Sequence, residues 1–259
     1  MTMLPSKFSK NNVSQDYWDG LRAFTRARIG LGSTGVATPL KEVLDFRMCH
    51  AHARDAVYSV LKVDEIMESL KQFDLSVFAV KSKAKDRIDF LQRPDHGRQL
   101  DEDSVNQLQT FNFPPSDIAI VVADGLSATA INEHAMPVLE KLIPLFKKSN
   151  TKIAALIIAE QARVALADEI GDLLHAKLIL ILIGERPGLS SPDSMGAYLT
   201  FNPKPGLTDE SRNCVSNIRP EGLSYDLAAE KLFKLVQASL QLKLSGVGLK
   251  EDTLQIPGR

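Results

Sequence analysis

The residues best placed to do chemistry stand directly behind three short apolar runs. Residues 117–123 end in Asp124-Gly125, residues 153–159 in Glu160-Gln161, and residues 178–183 in Gly184-Glu185-Arg186-Pro187-Gly188. Carboxylates, an amide and a guanidinium in such positions can exchange hydrogen bonds with a bound ligand, most strongly where one partner is charged. The third end is the most constrained. Pro187 has no amide hydrogen to extend a sheet ladder and biases Arg186 away from the helical region, while Gly188 can take a positive φ. Glu185 is therefore expected in a fixed loop. The stretch 213–222, Asn-Cys-Val-Ser-Asn-Ile-Arg-Pro-Glu-Gly, reads as a second loop of small polar donors and acceptors closing the same rim. From residue type alone, Glu185 and Arg186 could equally pair with each other or with neighbours.

Several chemistries lack their signatures. No GxxxxGK[ST] and no GxGxxG follows any of the three runs, and Ala-Asp-Gly-Leu-Ser is not a GxSxG elbow. Neither a Ser/His/Asp set nor a carboxylate pair is assignable by spacing. His50 and His52 are two apart on a helical stretch and face different directions, and Cys49 and Cys214 have no nearby Cys or His partner. No metal site is expected. Binding through several polar loops fits better than acid/base machinery.

The elements that must position these loops follow from periodicity. Residues 40–61 carry apolar side chains at spacings of mostly three and four, with Pro39 at a plausible first helical position. A second helical piece (63–73), a strand (75–80) and a basic stretch read as a solvated turn (81–87) follow. Then come strand 117–123, helix 127–147, strand 153–159, helix 163–174, strand 178–183, strand 197–201 and helix 225–242. Strand-sized apolar runs alternating with helices predict βαβ units and parallel pairing. Continuous apolar runs fit strands covered on both faces. The expected fold class is α/β: a Rossmann-like, mostly parallel sheet with helices on both faces, preceded by a smaller, mainly helical N-terminal portion. The expected divisions are a disordered tail (1–15), the helical portion (16–110) and an α/β domain (111–259). In an open parallel sheet, ligands sit outside the carboxyl ends of the strands, which brings the three polar ends to one rim.

Composition bounds the function. The 259 residues carry 31 basic and 32 acidic side chains, a formal net charge of -1, so there is no basic field for nucleic acid. Two distant cysteines suit a reducing cytoplasm. No apolar run approaches the length of a membrane span, and the first residues lack the apolar core of a secretory signal.

Seven stretches then carry a resemblance: RARIGLG (26–32), LQRPDHGRQL (91–100), ADGLSATAI (123–131), RVALADEIG (163–171), IGERPGLSSPDS (183–194), RNCVSNIRPEGLSY (212–225) and LSGVGLK (244–250). In this order they resemble the small (light) subunits of ethanolamine ammonia-lyase, from about Thr25 to Lys250, with residues 195–211 more variable. The resemblance implies an enzyme that converts ethanolamine to acetaldehyde and ammonia with adenosylcobalamin. In that family the substrate and radical chemistry lie in the large (heavy) subunit, and the small subunit clasps the cobalamin where the two meet in a hetero-oligomer. No catalytic residue is then expected on this chain. Val164, Glu185 and Cys214 are the expected cofactor contacts: an apolar wall, a charged acceptor for the corrin amides, and a small polarizable side chain. The DxHxxG pattern of proteins that replace the cobalt's lower ligand with histidine is absent, because Asp95-His96-Gly97 has the wrong spacing. Base-on binding is therefore expected. The resemblance leaves open packaging in a bacterial microcompartment. Apart from it, the residues also allow a stand-alone nucleotide- or cofactor-binding protein, or a structural partner that binds protein only.

Overall fold

The computed structural model describes residues 13–249. Most of the expected tail (1–15) lies outside the described residues; of its last residues, Ser14 pairs with Ser33. Helix α1 spans Leu40–Tyr58 and α2 spans Val63–Leu70, followed by strand β1, Val77–Lys81. Pro39 stands just before α1, where its missing amide hydrogen is not needed. Two short helices follow, α3 (Arg87–Gln92) and α4 (Glu102–Thr110), which the periodicity did not reveal. The regular alternation then begins: β2 (Ser116–Ala123), α5 (Ala128–Lys148), β3 (Ile153–Glu160), α6 (Leu166–Leu173), β4 (Ala176–Gly184), β5 (Met195–Phe201), β6 (Arg212–Ile218) and α7 (Tyr225–Leu242).

The six strands form one sheet in the order β1-β3-β2-β4-β5-β6. β1, β3, β2 and β4 pair in parallel, and β5 runs antiparallel to both β4 and β6. The fold class is α/β, as expected. β1, from within the 16–110 stretch, pairs with β3 and so edges the same sheet. Because only β5 is reversed, the carboxyl ends of the other five strands and the amino end of β5 share one rim. The register pins this: Gly184 faces Met195, and Met195 faces Ile218.

The central strands are buried on both faces, which is why they read as unbroken apolar runs. Ile118, Ile120 and Val122 join a core with α2, α5 and α7, while Ala119, Val121 and Ala123 face a second core with α4 and α6. One helix stands apart. Of the nineteen residues of α1, only Ala56 is buried, while Leu40, Leu44 and Met48 are 71%, 52% and 56% exposed. Its apolar period forms a helix that the described residues leave largely uncovered.

β6 corrects the expectation of a loop over 213–222. Arg212, Val215 and Ile218 are buried while Cys214, Ser216 and Asn217 are exposed, and a register shift against β5 lets both Val215 and Ile218 reach the core. The strand was hidden because its polar face lies open, so it never reads as an apolar run. The loop proper is a short turn. Asn217 takes φ +59°, Leu223 N donates to Asn217 O (2.7 Å) and Gly222 N to Arg219 O (3.0 Å).

Candidate cofactor-binding rim

The rim has a closed half and an open half. The crevice between β2 and β3 is where consecutive connections leave for opposite faces of the sheet, since α5 packs on one face and α6 on the other. Ligands commonly enter at such a switch point. Here the chain fills it. Asp124, 3% exposed, accepts hydrogen bonds from Gln161 N and Ala162 N, both at 3.0 Å, and pairs with Arg87 Nη1 at 3.4 Å. Arg87 also donates to Gly125 O (2.9 Å), Gln161 Oε1 (3.1 Å) and Val57 O (2.6 Å). It lies over the Phe90 ring, on which Arg163 stacks too. Burial pushes the Asp124 carboxyl up to about 6, against the downward pull of Ala162 N, Arg87 and Gln161 N.

Two sequence expectations change accordingly. Asp124 and Gln161 do reach the rim, but they are spent on each other and on Arg87 instead of facing a ligand. Arg87 belongs to no solvated turn: it opens α3 and locks the rim. Nothing local marks it, because its partners are 37 and 74 residues away in sequence.

Gly125 is required where it stands. Its φ is +54°, and a Cβ there would lie 2.2 Å from Gly184 O, the carbonyl that accepts from Leu126 N at 3.0 Å. The ADGLS stretch thus seats the end of β2 against the end of β4. Ser127 caps α5 by accepting from Ala130 N (3.3 Å) and donates to Pro192 O (2.9 Å), which ties down the loop between β4 and β5.

The open half lies along β4, β5 and β6. Glu185 follows β4 directly; its amide donates to Ser194 O at 2.9 Å. Its carboxylate accepts from the Ser194 hydroxyl and from Asn217 N (3.3 Å). Arg186 is exposed, and of the expected alternative the half in which Glu185 bonds to neighbours holds: Ser194 and Asn217 orient it. Gly196 makes room for this, since a Cβ there would sit 2.9 Å from Glu185 Oε1.

Cys214 lies opposite Tyr198 on the neighbouring strand, and the two side chains interact electrostatically. Although Cys214 is exposed as a residue, partial desolvation pushes its thiol up, and the Glu185 charge adds to that rise. Glu185 and Cys214 are thus brought together. Val164 is half-buried against the α4/α6 core and lines a cleft of about 740 Å³ with Arg98, Arg163, Glu169, Leu207 and Asp209. That cleft lies on the same face of the sheet as Tyr198. The result is an open polar platform, with Val164 an apolar side chain in a cleft lined by several charged ones on the same face. It can hold a large, amide-rich ligand by contact and hydrogen bonding, and its thiol is kept protonated, which suits packing and not nucleophilic attack. Iodoacetamide at neutral pH should accordingly label Cys214 more slowly than a free cysteine, with the rate climbing only at alkaline pH. Peptide mass spectrometry over a pH series checks this; fast labelling at pH 7 would contradict the raised thiol.

His50 and His52 lie on α1, far from this platform in the chain order and on the uncovered helix. His96 is bound locally, with Nδ1 2.8 Å from Asp89 Oδ2. Among the described residues, no helix is long and apolar enough to cross a membrane.

Comparison with known proteins identifies the family. A family model described as ethanolamine ammonia-lyase light chain matches residues 15–250. The chain is 46% identical over 246 residues to the ethanolamine ammonia-lyase small subunit of Azotobacter vinelandii, covering 94% of this chain and 91% of that one. It is 47% identical over 234 residues to that of Bradyrhizobium diazoefficiens, covering 90% of each. With that of Pseudomonas aeruginosa the identity is 48% over 242 residues, 92% of this chain and 89% of the other. With a match over nearly its whole length, this chain belongs to the ethanolamine ammonia-lyase light-chain family.

Proposed function

We propose that this chain is the cofactor-clasping small subunit of an adenosylcobalamin-dependent ethanolamine ammonia-lyase, working in the cytoplasm with a large subunit that carries the catalytic residues. The observation that carries the reading is the open platform on which Glu185 and Cys214 meet, on the same face of the sheet as the Val164 cleft. Its donor set fits a corrin. Glu185 offers a carboxylate already oriented by Ser194 and Asn217, able to accept from side-chain amides. Tyr198 and Cys214 offer a neutral, polarizable floor, and Val164 an apolar edge. When bound, adenosylcobalamin supplies the cobalt–carbon bond whose homolysis starts the removal of ammonia from ethanolamine. The part assigned to this chain is to grip, orient and shield from water.

Three further features support the reading. The switch-point crevice, which a stand-alone nucleotide-binding protein would use, is filled by Asp124 and Arg87. The uncovered apolar side chains of α1 suit burial against a larger subunit. His96, held by Asp89, fits a cofactor that keeps its own base on cobalt. An electron paramagnetic resonance spectrum of cob(II)alamin in the complex should then show no splitting from a protein histidine nitrogen.

The direct test is gel filtration with adenosylcobalamin, with and without an ethanolamine ammonia-lyase large subunit, following protein and corrin absorbance together. Corrin co-eluting only when both chains are present is the expected result. Corrin bound to this chain alone would make it a free-standing cobalamin binder, and no corrin in either case would overturn the assignment.

A further inference from the structure

We propose that Glu133, His134 and Asp193 form a binding site for a divalent transition-metal ion, with Zn²⁺ the simplest probe. The site joins the amino-terminal half of α5 to the loop between β4 and β5, and it does not depend on what Glu185 contacts.

Three observations carry it. His134 is 3% exposed, and its Nε2 is buried without a hydrogen-bond partner. That nitrogen faces two carboxylates, Asp193 Oδ2 at 3.5 Å and Glu133 Oε2 at 4.0 Å, and the three ligand atoms all lie within 4.8 Å of one another. These separations are long for hydrogen bonds. The Asp193 separation is close to that of ligands sharing one ion, since nitrogen and oxygen atoms about 2.0–2.2 Å from a tetrahedral Zn²⁺ stand about 3.4 Å apart; the exposed Glu133 side chain would close in by a small rotation.

The third observation is the other ring nitrogen. His134 Nδ1 lies 2.9 Å from Tyr225 Oη. With Nδ1–H donating to that oxygen, the lone pair is on Nε2, aimed between the carboxylates. A metal-binding histidine is ordinarily oriented by such an outer hydrogen bond. Asp193 is oriented as well, by Arg219 Nη1, 3.5 Å from its other oxygen Oδ1. The Arg219 charge works against a cation but not against the geometry. Without an ion, two carboxylates converge on a histidine nitrogen that neither reaches. With one, all three are satisfied, and a fourth position remains for water. One imidazole and two carboxylates suit Zn²⁺, Mn²⁺ or Co²⁺, with no thiolate to favour softer ions. The Glu133 side chain is exposed and opens the site to solvent.

The test uses the cofactor-free two-subunit complex, stripped with EDTA and titrated with Zn²⁺ by calorimetry. The wild type should bind one Zn²⁺ per small chain more than His134→Ala or Asp193→Asn. Tyr225→Phe should bind it about 10- to 100-fold more weakly. Co²⁺ in the wild type should give a visible spectrum without the thiolate charge-transfer band that binding at Cys49 or Cys214 would produce. If His134→Ala fails to assemble, Glu133→Gln, altered at an exposed side chain, decides: weakened binding supports the site and unchanged binding overturns it. Equal stoichiometry and affinity in all variants, or a thiolate band, would also overturn it.

Discussion

Glu185→Ala should leave the chain folded and assembled while weakening corrin retention in the two-subunit complex by about tenfold to a hundredfold. That range corresponds to losing one or two hydrogen bonds to a charged acceptor, roughly 1.5–3 kcal/mol. The carboxylate is half-buried, and its protein partners are one hydroxyl and one amide at the edge of the rim. Its loss leaves no buried charge behind but takes the acceptor from the buried Ser194 hydroxyl, so the unfolding free energy should fall by about 1–3 kcal/mol. Glu185→Gln keeps the shape but not the charge and should fall between wild type and Ala. Gly196→Ala offers an independent check. Its new methyl would meet Glu185 Oε1, displacing the carboxylate and weakening cofactor binding without touching it chemically. Equilibrium dialysis of adenosylcobalamin against each complex measures all three. Unchanged retention in Glu185→Ala would remove this residue from the cofactor site.

The largest effect on stability is expected at Asp124. Asp124→Ala would leave Arg87 partly buried without its ion-pair partner and two buried amides, Gln161 N and Ala162 N, without an acceptor. Breaking one side of such a pair costs about 3–5 kcal/mol, which urea unfolding would register as a clear drop in midpoint. The same group has a pH signature. Its folded carboxyl is raised to about 6 from an ordinary 3.8. The native state therefore holds a proton that the unfolded state has released between those values. The contribution is present in full below pH 3.8 and is lost as pH rises through about 6. Asp124→Asn should flatten stability across that window, and an unaltered slope from pH 4 to 6 would show that this carboxyl is not its source.

Much of this architecture is legible in local patterns. The three apolar runs, each closed by polar residues, are β2, β3 and β4, and the amphipathic stretches between and after them are α5, α6 and α7. The Pro-Gly stop after Glu185 does fix a loop. What escaped was whatever needed a partner far along the chain. β6 looked like a loop because half its side chains face open solvent. Arg87 looked like a surface cation because its acceptors arrive from β2, β3 and α1. Asp124 looked like a ligand-facing carboxylate, since burial has no signature in residue type.

Local sequence thus determined the kinds of elements and where they stop, because hydrophobic period and turn chemistry act within a few residues. It also determined the family, through motifs that survive as short strings. Tertiary structure alone decided which of the polar strand ends stay open. Strand order places β3 beside β2 and reverses β5, so the Asp124 end closes on Arg87 while the Glu185 end opens toward Cys214. It also carried Asp193 to within 3.5 Å of His134, a partner 59 residues earlier in the chain. Those meetings depend on how loops return across the sheet, and no window of adjacent residues encodes that.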